Sequence, residues 1–178
     1  FDSPFLCYNF NMCFLSTFYP DEIKDSAYVI DYEALYNEGV RGLIYDIDNT
    51  LVMHGYPADE RAIALFKRLK GIGFKITLLS NNKEARVKMF NDSVHVSYIY
   101  KAGKPLSKGY IKAIEVMRTA TDSTVFIGDQ LFTDVWGAKR CGIRNILVKP
   151  IDPHEEIQII LKRRLEAIVL FFYNRQKR

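Results

Sequence analysis

The sequence predicts an α/β fold, a parallel sheet with helices on both faces, and three observations carry that expectation. Short apolar runs of strand character alternate with segments of helical spacing, the rhythm of βαβ units. The runs are nearly continuous in Val, Ile, Leu and aromatic residues, as in strands buried on both faces. Polar residues able to do chemistry cluster just past these runs, where open parallel sheets bind their ligands.

Taken in order, residues before Val40 stand outside this rhythm. Positions 1–19 are rich in aromatics, Pro20-Asp21-Glu22 reads as a helix start, and Asp31–Glu38 reads as a short helix closing at Gly39. Residues 1–39 are therefore expected to form an arm with short helices packing on the sheet edge, and 40–178 the main domain. The alternative for the arm is an aromatic surface for a membrane or a partner protein.

Strands are expected at Gly42–Asp46, Phe74–Leu79, Ser97–Tyr100, Thr124–Gly128 and Asn145–Val148. Helical spacing covers Ala58–Lys70 (Ile63, Phe66, Leu69 on one side), Lys83–Phe90 (Ala85, Met89) and Lys108–Arg118 (Ile111, Ile114, Met117 or Val116). It recurs over Thr133–Cys141 (Val135, Trp136, Ala138) and His154–Tyr173. Gly71, Gly73 and Gly142 sit where helices should stop.

Composition bounds the function. The chain has 178 residues, enough for one domain with a real core, and is 48% hydrophobic and 26% charged. Its net charge of +4 is uneven, with +6 carried from Lys139 to Arg178. Cys7, Cys13 and Cys141 form no Cys-x-x-Cys pair, which points to a reducing compartment and away from a disulfide framework or a zinc site. The longest apolar run, Ala167–Tyr173, is too short to span a membrane. No secretory signal is expected, because the first residues lack a basic stretch, an apolar stretch and a cleavage site in sequence.

The chemistry gathers at strand ends. Asp46 and Asp48 end the first strand with Thr50 just beyond, and would share a face if the strand ran straight. Two carboxylates so close suit a reaction needing one as nucleophile and one as proton carrier. Ser80-Asn81-Asn82 ends the second strand, Lys104 follows the third, and Gly128-Asp129-Gln130 with Asp134 follows the fourth. Each piece has an ordinary alternative: an Asp-x-Asp turn, an N-cap at Ser80-Asn81-Asn82, or a dipole-favouring Asp134. Their order and shared rim favour a catalytic site. His54, His95 and His154 read as surface or loop residues, and Cys141 and Trp136 as core.

Asp46-Ile47-Asp48-Asn49-Thr50, Ser80-Asn81, Lys104-Pro105 and Gly128-Asp129 with Asp134 resemble the four motifs of the phosphatase branch of the haloacid dehalogenase (HAD) superfamily, over residues 40 to 150. Phe18-Tyr19-Pro20-Asp21, Gly39-Val40-Arg41-Gly42 and the run from Gly128 to Gly137 extend the likeness to the YqeG family of class IIIA phosphatases. The resemblance implies a Rossmann-like fold and an Mg²⁺-dependent phosphomonoesterase. In it Asp46 attacks phosphorus and Asp48 is general acid, then base. Thr50 holds the loop; Ser80, Asn81 and Lys104 bind the phosphoryl group. Asp46, Asp129 and the main-chain carbonyl of Asp48 hold the metal, with Asp134 orienting one of its waters.

Enzymes of this superfamily often carry a cap domain, and here neither Leu51–Ala58 nor Ser80–Lys104 has room for one. An open site suits a large or surface-bound substrate, and uncapped relatives often borrow a neighbouring subunit as cover, so an oligomer is allowed. His54, Gly55 and Tyr56 are placed near the leaving group. The last helix carries an apolar stripe of Ile157, Ile160, Leu161, Leu165, Ile168 and Phe172, flanked by Lys162, Arg163, Arg164, Arg175, Lys177 and Arg178. It is expected to pack on the sheet with a solvated basic end, or to lie on anionic lipid as a peripheral membrane contact. Similarity to phosphatidylglycerophosphate phosphatases makes that lipid the first substrate to test. Alternatives are a soluble sugar phosphate, a nucleotide, a nucleic-acid end, or a non-catalytic binding role. Nucleic-acid partnership is not expected, and the expected location is cytoplasmic, including the inner membrane face.

Overall fold

The computed structural model describes residues 15–152 and 157–176, with side chains from 162 onward in the last helix. Among the described residues six parallel strands form one sheet: β1 Glu22–Lys24, β2 Gly42–Tyr45, β3 Lys75–Leu79, β4 Ser97–Ile99, β5 Thr124–Gly128 and β6 Arg144–Val148. Their order is β1-β6-β5-β2-β3-β4. The helices are α1 Tyr32–Asn37, α2 Glu60–Ile72, α3 Glu84–Val94, α4 Ser107–Met117, α5 Trp136–Arg140 and α6 Ile157–Gln176, with a π-helical turn at Leu131–Val135 before α5.

Alternation along β2 divides the core. Leu43 and Tyr45 face α1, α2 and α3, packing with Leu35, Phe66, Leu69 and Phe90. Ile44 faces the other way, joining Tyr110, Ala113 and Met117 of α4 and Ala138 of α5. The sheet is thus covered on both sides, as the apolar strands require. Helix starts follow local chemistry: Asp31 accepts from the Ala34 amide and Asp59 from the Ala62 amide. Gly73 ends α2 at φ 111°, a left-handed conformation that glycine adopts without penalty.

Several expected details are corrected. Pro20-Asp21-Glu22 begins no helix. Asp21 Oδ2 instead accepts from the amide (2.9 Å) and side chain (2.7 Å) of buried Asn145, and this clamp lays Glu22–Lys24 alongside β6 as an edge strand. On α2 the buried face is Ala62, Leu65, Phe66 and Leu69, with Ile63 exposed; on α3 it is Val87, Phe90 and Val94, with Ala85 and Met89 exposed. Ile111 and Val116 of α4 are exposed too, Tyr110 and Ala113 taking the buried places. Cys141 and Trp136 are half-buried rather than core.

The last helix turns a different face inward than its apolar stripe predicts. Val169 and Tyr173 pack with Phe18, Tyr19, Leu131, Val135 and Leu147 in a third cluster, the Tyr19 and Tyr173 rings 5.4 Å apart. Leu165 and Ile168 are about half exposed, at 51% and 54%. Cys7, Cys13, His154, Lys177 and Arg178, and the side chains of Ile157, Ile160 and Leu161, lie outside the described residues. Among the described residues no helix is long and apolar enough to cross a membrane. No domain interrupts residues 46–59 or 80–104, the second stretch being filled by α3 and β4.

Candidate active site

Parallel pairing of β2 with β3 and β5 brings the ends of these strands to one rim. Asp46 follows β2, Ser80 follows β3, and Asp129 follows β5. The loop after β4 swings Lys104 beneath them. Lys104 Nζ lies 2.8 Å from Asp46 Oδ1 and 2.8 Å from Asp134 Oδ1, with all three residues buried. Asp129 joins from the side, its Oδ1 accepting from the Thr50 hydroxyl at 3.1 Å. Oxygens of Asp46, Asp129 and Asp134 all fall within 4.8 Å of one another.

Asp134 reaches this centre because the chain after β5 winds into the π-helical turn, a feature frequent at functional sites. Its Oδ2 accepts from the amides of Asp129 and Gln130, each at 3.1 Å. Gly128 makes the approach possible: a Cβ there would stand 2.6 Å from the Asp134 carboxyl carbon. The glycine before Asp129 is a packing requirement.

Asp48 does not join the cluster through its carboxylate. β2 ends at Tyr45, so alternation stops before the two aspartates. Asn49 adopts a left-handed φ of 62°, and the chain loops back so that the Leu51 amide donates to the Ile47 carbonyl. The Asp48 carboxylate faces α3 instead, accepting from Arg86 Nη2 at 2.8 Å and Nε at 3.1 Å, and from Asn82 Nδ2 at 2.7 Å. The Gly55 amide donates to Asp48 Oδ1 at 2.9 Å, and His54 Nδ1 lies 3.6 Å away. His54 thus stands beside a motif residue, although its sequence position read as loop.

Ser80 is buried, its hydroxyl oxygen accepting from the Asn82 amide at 3.1 Å. The alternative reading of Ser80-Asn81-Asn82 as an N-cap does not hold: α3 starts after Lys83, without a side-chain cap. Asn81 uses both ends of its amide on the Lys104 main chain, accepting from the Lys104 N–H at 2.7 Å and donating to its carbonyl at 3.1 Å. This pair bolts the lysine loop to the end of β3.

Two contributors escaped the sequence reading. Arg86 lies in the first turn of α3 and Asn82 in the loop just before it, and both reach Asp48. Arg163 of α6 donates to the Asp129 carboxylate and, at 2.5 Å, to its main-chain carbonyl. Arg163 also pairs with Glu166 at 3.0 Å, and Glu166 Oε1 accepts the Leu131 amide at 2.7 Å. Beside them opens a cavity of about 550 Å³ lined by Ile23, Leu147, Val148, Leu170, Tyr173 and the two charged residues.

The electrostatics are those of a site short of positive charge. Among the described residues, Asp46, Asp129, Asp134 and Glu166 are buried with Lys104 and Arg163 as their cationic partners, a formal excess of two negative charges. Burial pushes the Asp46 carboxyl up to about 6, with Lys104 opposing and Asp134 adding to the rise. Burial, then Asp134, push Asp129 up to about 8 against the pull of Arg163. Burial alone would depress the Lys104 ammonium, but Asp134 and Asp46 outweigh it and hold it above its ordinary value. A donor set of oxygens only, with a deficit of two charges, fits a hard divalent cation.

Comparison with known proteins agrees with this geometry. A family model described as HAD-hydrolase-like matches residues 101–150. A Bacillus subtilis protein named "Probable phosphatase YqeG" is 40% identical over 154 residues, covering 86% of this chain and 90% of its own length. An Arabidopsis thaliana protein, phosphatidylglycerophosphate phosphatase 1, chloroplastic/mitochondrial, is 28% identical over 167 residues; the match takes in 83% of this chain but 45% of that protein. Among solved structures, NagD from Escherichia coli K-12 superposes with a TM-score of 0.53 at 13% identity, over 68% of this chain and 91% of that one. At that identity the likeness shows the fold alone.

Proposed function

The chain belongs to the YqeG family of HAD-like phosphatases, and from that premise we propose an Mg²⁺-dependent phosphomonoesterase that works through a phosphorylated Asp46, with phosphatidylglycerophosphate as its substrate. The observation that carries the chemistry is the buried Asp46 held by Lys104, with oxygens of Asp129 and Asp134 within 4.8 Å of it. Lys104 holds the Asp46 carboxylate through Oδ1, and the other oxygen is the one proposed to attack. That oxygen bonds to phosphorus as the bond to the ester oxygen breaks, and Asp48, once turned from Arg86 and protonated, gives the departing alcohol its proton. Water then attacks phosphorus, Asp48 takes its proton, and the Asp46–phosphorus bond breaks to release inorganic phosphate.

Asp46, Asp129 and the Asp48 carbonyl would hold Mg²⁺, whose role is to offset charge on the transferring group. Asp134 is bound to Lys104 through one carboxylate oxygen and to two amides through the other, and in this reading it fixes the site and orients a metal-bound water. Ser80 and Lys104 supply donors to the phosphoryl oxygens. For Asp48 to act, its carboxyl must turn from Arg86 and Asn82 toward the ester oxygen.

Three features support a lipid substrate. One is the relationship to the Arabidopsis lipid phosphatase. The uncapped rim is the second. The third is the outer face of α6, where Leu165, Ile168 and Phe171 are exposed among Lys162, Arg164 and Arg175. The test is phosphate release with Mg²⁺ from vesicles carrying phosphatidylglycerophosphate against a panel of soluble monoesters, with Asp46→Asn as control. Preference for the vesicles that weakens with salt and vanishes in the variant is expected. Turnover of soluble esters alone would retain the chemistry and discard the lipid.

A further inference from the structure

We propose that Arg163 is a positioning residue of the metal site, through which the C-terminal helix fixes the carboxylate of Asp129. The proposal rests on the reading of Asp129 as a metal ligand. Asp129 is buried, and each of its side-chain oxygens meets a different donor: Oδ1 meets the Thr50 hydroxyl, and Oδ2 meets the Arg163 guanidinium. The same guanidinium bonds the Asp129 main-chain carbonyl at 2.5 Å. One planar fork thereby grips backbone and side chain of a single residue, which restricts the rotation of that carboxylate. Oδ1 is left turned toward Thr50 and the centre.

Arg163 is itself held. Glu166, one turn along α6, takes Arg163 Nη1 at 3.0 Å with one oxygen and the Leu131 amide at 2.7 Å with the other. The helix is anchored below by Val169 and Tyr173 in the cluster with Tyr19 and Leu147. A chain of contacts therefore runs from the N-terminal aromatics through α6 to the Asp129 loop. Arg163 and Glu166 carry opposite charges, so the pair adds no net charge to the site. Arg163→Gln leaves Glu166 negative beside the site, which by attraction favours a cation, so weaker Mg²⁺ binding by that variant reports lost orientation.

Groups that orient a ligand in this way typically change metal affinity by about 10- to 100-fold when removed. The experiment is Mg²⁺ titration by calorimetry of the wild type, Arg163→Gln and Arg163→Lys, with each protein's melting temperature recorded in EDTA. Arg163→Gln is expected to bind Mg²⁺ about 10- to 100-fold more weakly. Arg163→Lys should fall between the two, since one ammonium keeps the charge but cannot span carbonyl and carboxylate. If the glutamine variant does not fold, the lysine variant decides alone, weaker binding supporting the proposal. Equal or tighter binding by the variants, with the wild type binding normally, would overturn it and leave the metal site intact. No Mg²⁺ binding by the wild type would instead remove the reading of Asp129 on which it stands.

Discussion

Removing Mg²⁺ should make this protein lose stability as pH rises, and restoring Mg²⁺ should reverse most of the loss. In the metal-free site burial holds Asp129 at about 8 and Asp46 at about 6, both above the ordinary carboxylate value of 3.8. Between roughly pH 4 and 8 the folded state then keeps protons that the unfolded chain has released, so stability falls with pH. At about 1.4 kcal/mol per unit, going from pH 5 to pH 8 costs on the order of 4–5 kcal/mol, most of it through Asp129. Glu22, whose burial is outweighed by Arg144 so that its carboxyl is lowered, and Glu33, lowered by its hydrogen bond to Arg68, contribute with the opposite sign. The assay is urea unfolding at pH 5, 6, 7 and 8 in EDTA and in Mg²⁺. With a slope of about 2 kcal/mol/M, the midpoint in EDTA should drop by roughly 2 M across the range. Asp129→Asn should flatten most of that decline and abolish the rescue by Mg²⁺. A midpoint in EDTA that stays level or climbs between pH 5 and 8 would refute the charge deficit.

Two substitutions probe the rest of the site. Lys104→Met leaves Asp46 and Asp134 buried without their shared cation, so urea unfolding at pH 8 in EDTA should show a loss of about 3–5 kcal/mol. Arg86→Gln releases the Asp48 carboxylate from the anchor it must leave to act, so kcat measured by steady-state phosphate release should not fall; a drop on the order of 10-fold or more would show that Arg86 instead positions Asp48 for catalysis.

Much of this architecture was legible in the sequence because buried parallel strands are written as apolar runs. Thr124–Gly128 was read to the residue, and the other core strands to within one residue at either end. Edge strand β1 was not legible: Ile23 between two charged residues carries almost no pattern, and the clamp that makes it a strand lies over a hundred residues away at Asn145. Helix faces were misread where small or aromatic residues, Ala62, Ala113 and Tyr110, took inward places from Ile63, Ile111 and Val116. In the site, Asp46, Lys104, Asp129 and Asp134 converge because their motifs end neighbouring strands. The Asp48 carboxylate faces elsewhere because the strand stops before it, a break that Asp-x-Asp does not encode. The sequence offers Arg163 only as one of the basic residues flanking the apolar stripe, solvated or facing anionic lipid, since nothing local shows that its helix face turns inward. The signal available was the run Arg163, Glu166, Val169, Tyr173, one face that mixes a compensated ion pair with apolar anchors.

The most direct test of the central claim is to trap the phosphorylated residue. The protein is mixed with substrate and Mg²⁺, quenched with acid during the first turnover, and reduced with borohydride, which converts an acyl phosphate to the alcohol. Peptide mass spectrometry should then find homoserine at position 46 and at no other aspartate, and none without substrate. Substrate turnover with no reduced residue at position 46, or with reduction at another carboxylate, would contradict Asp46 as the nucleophile.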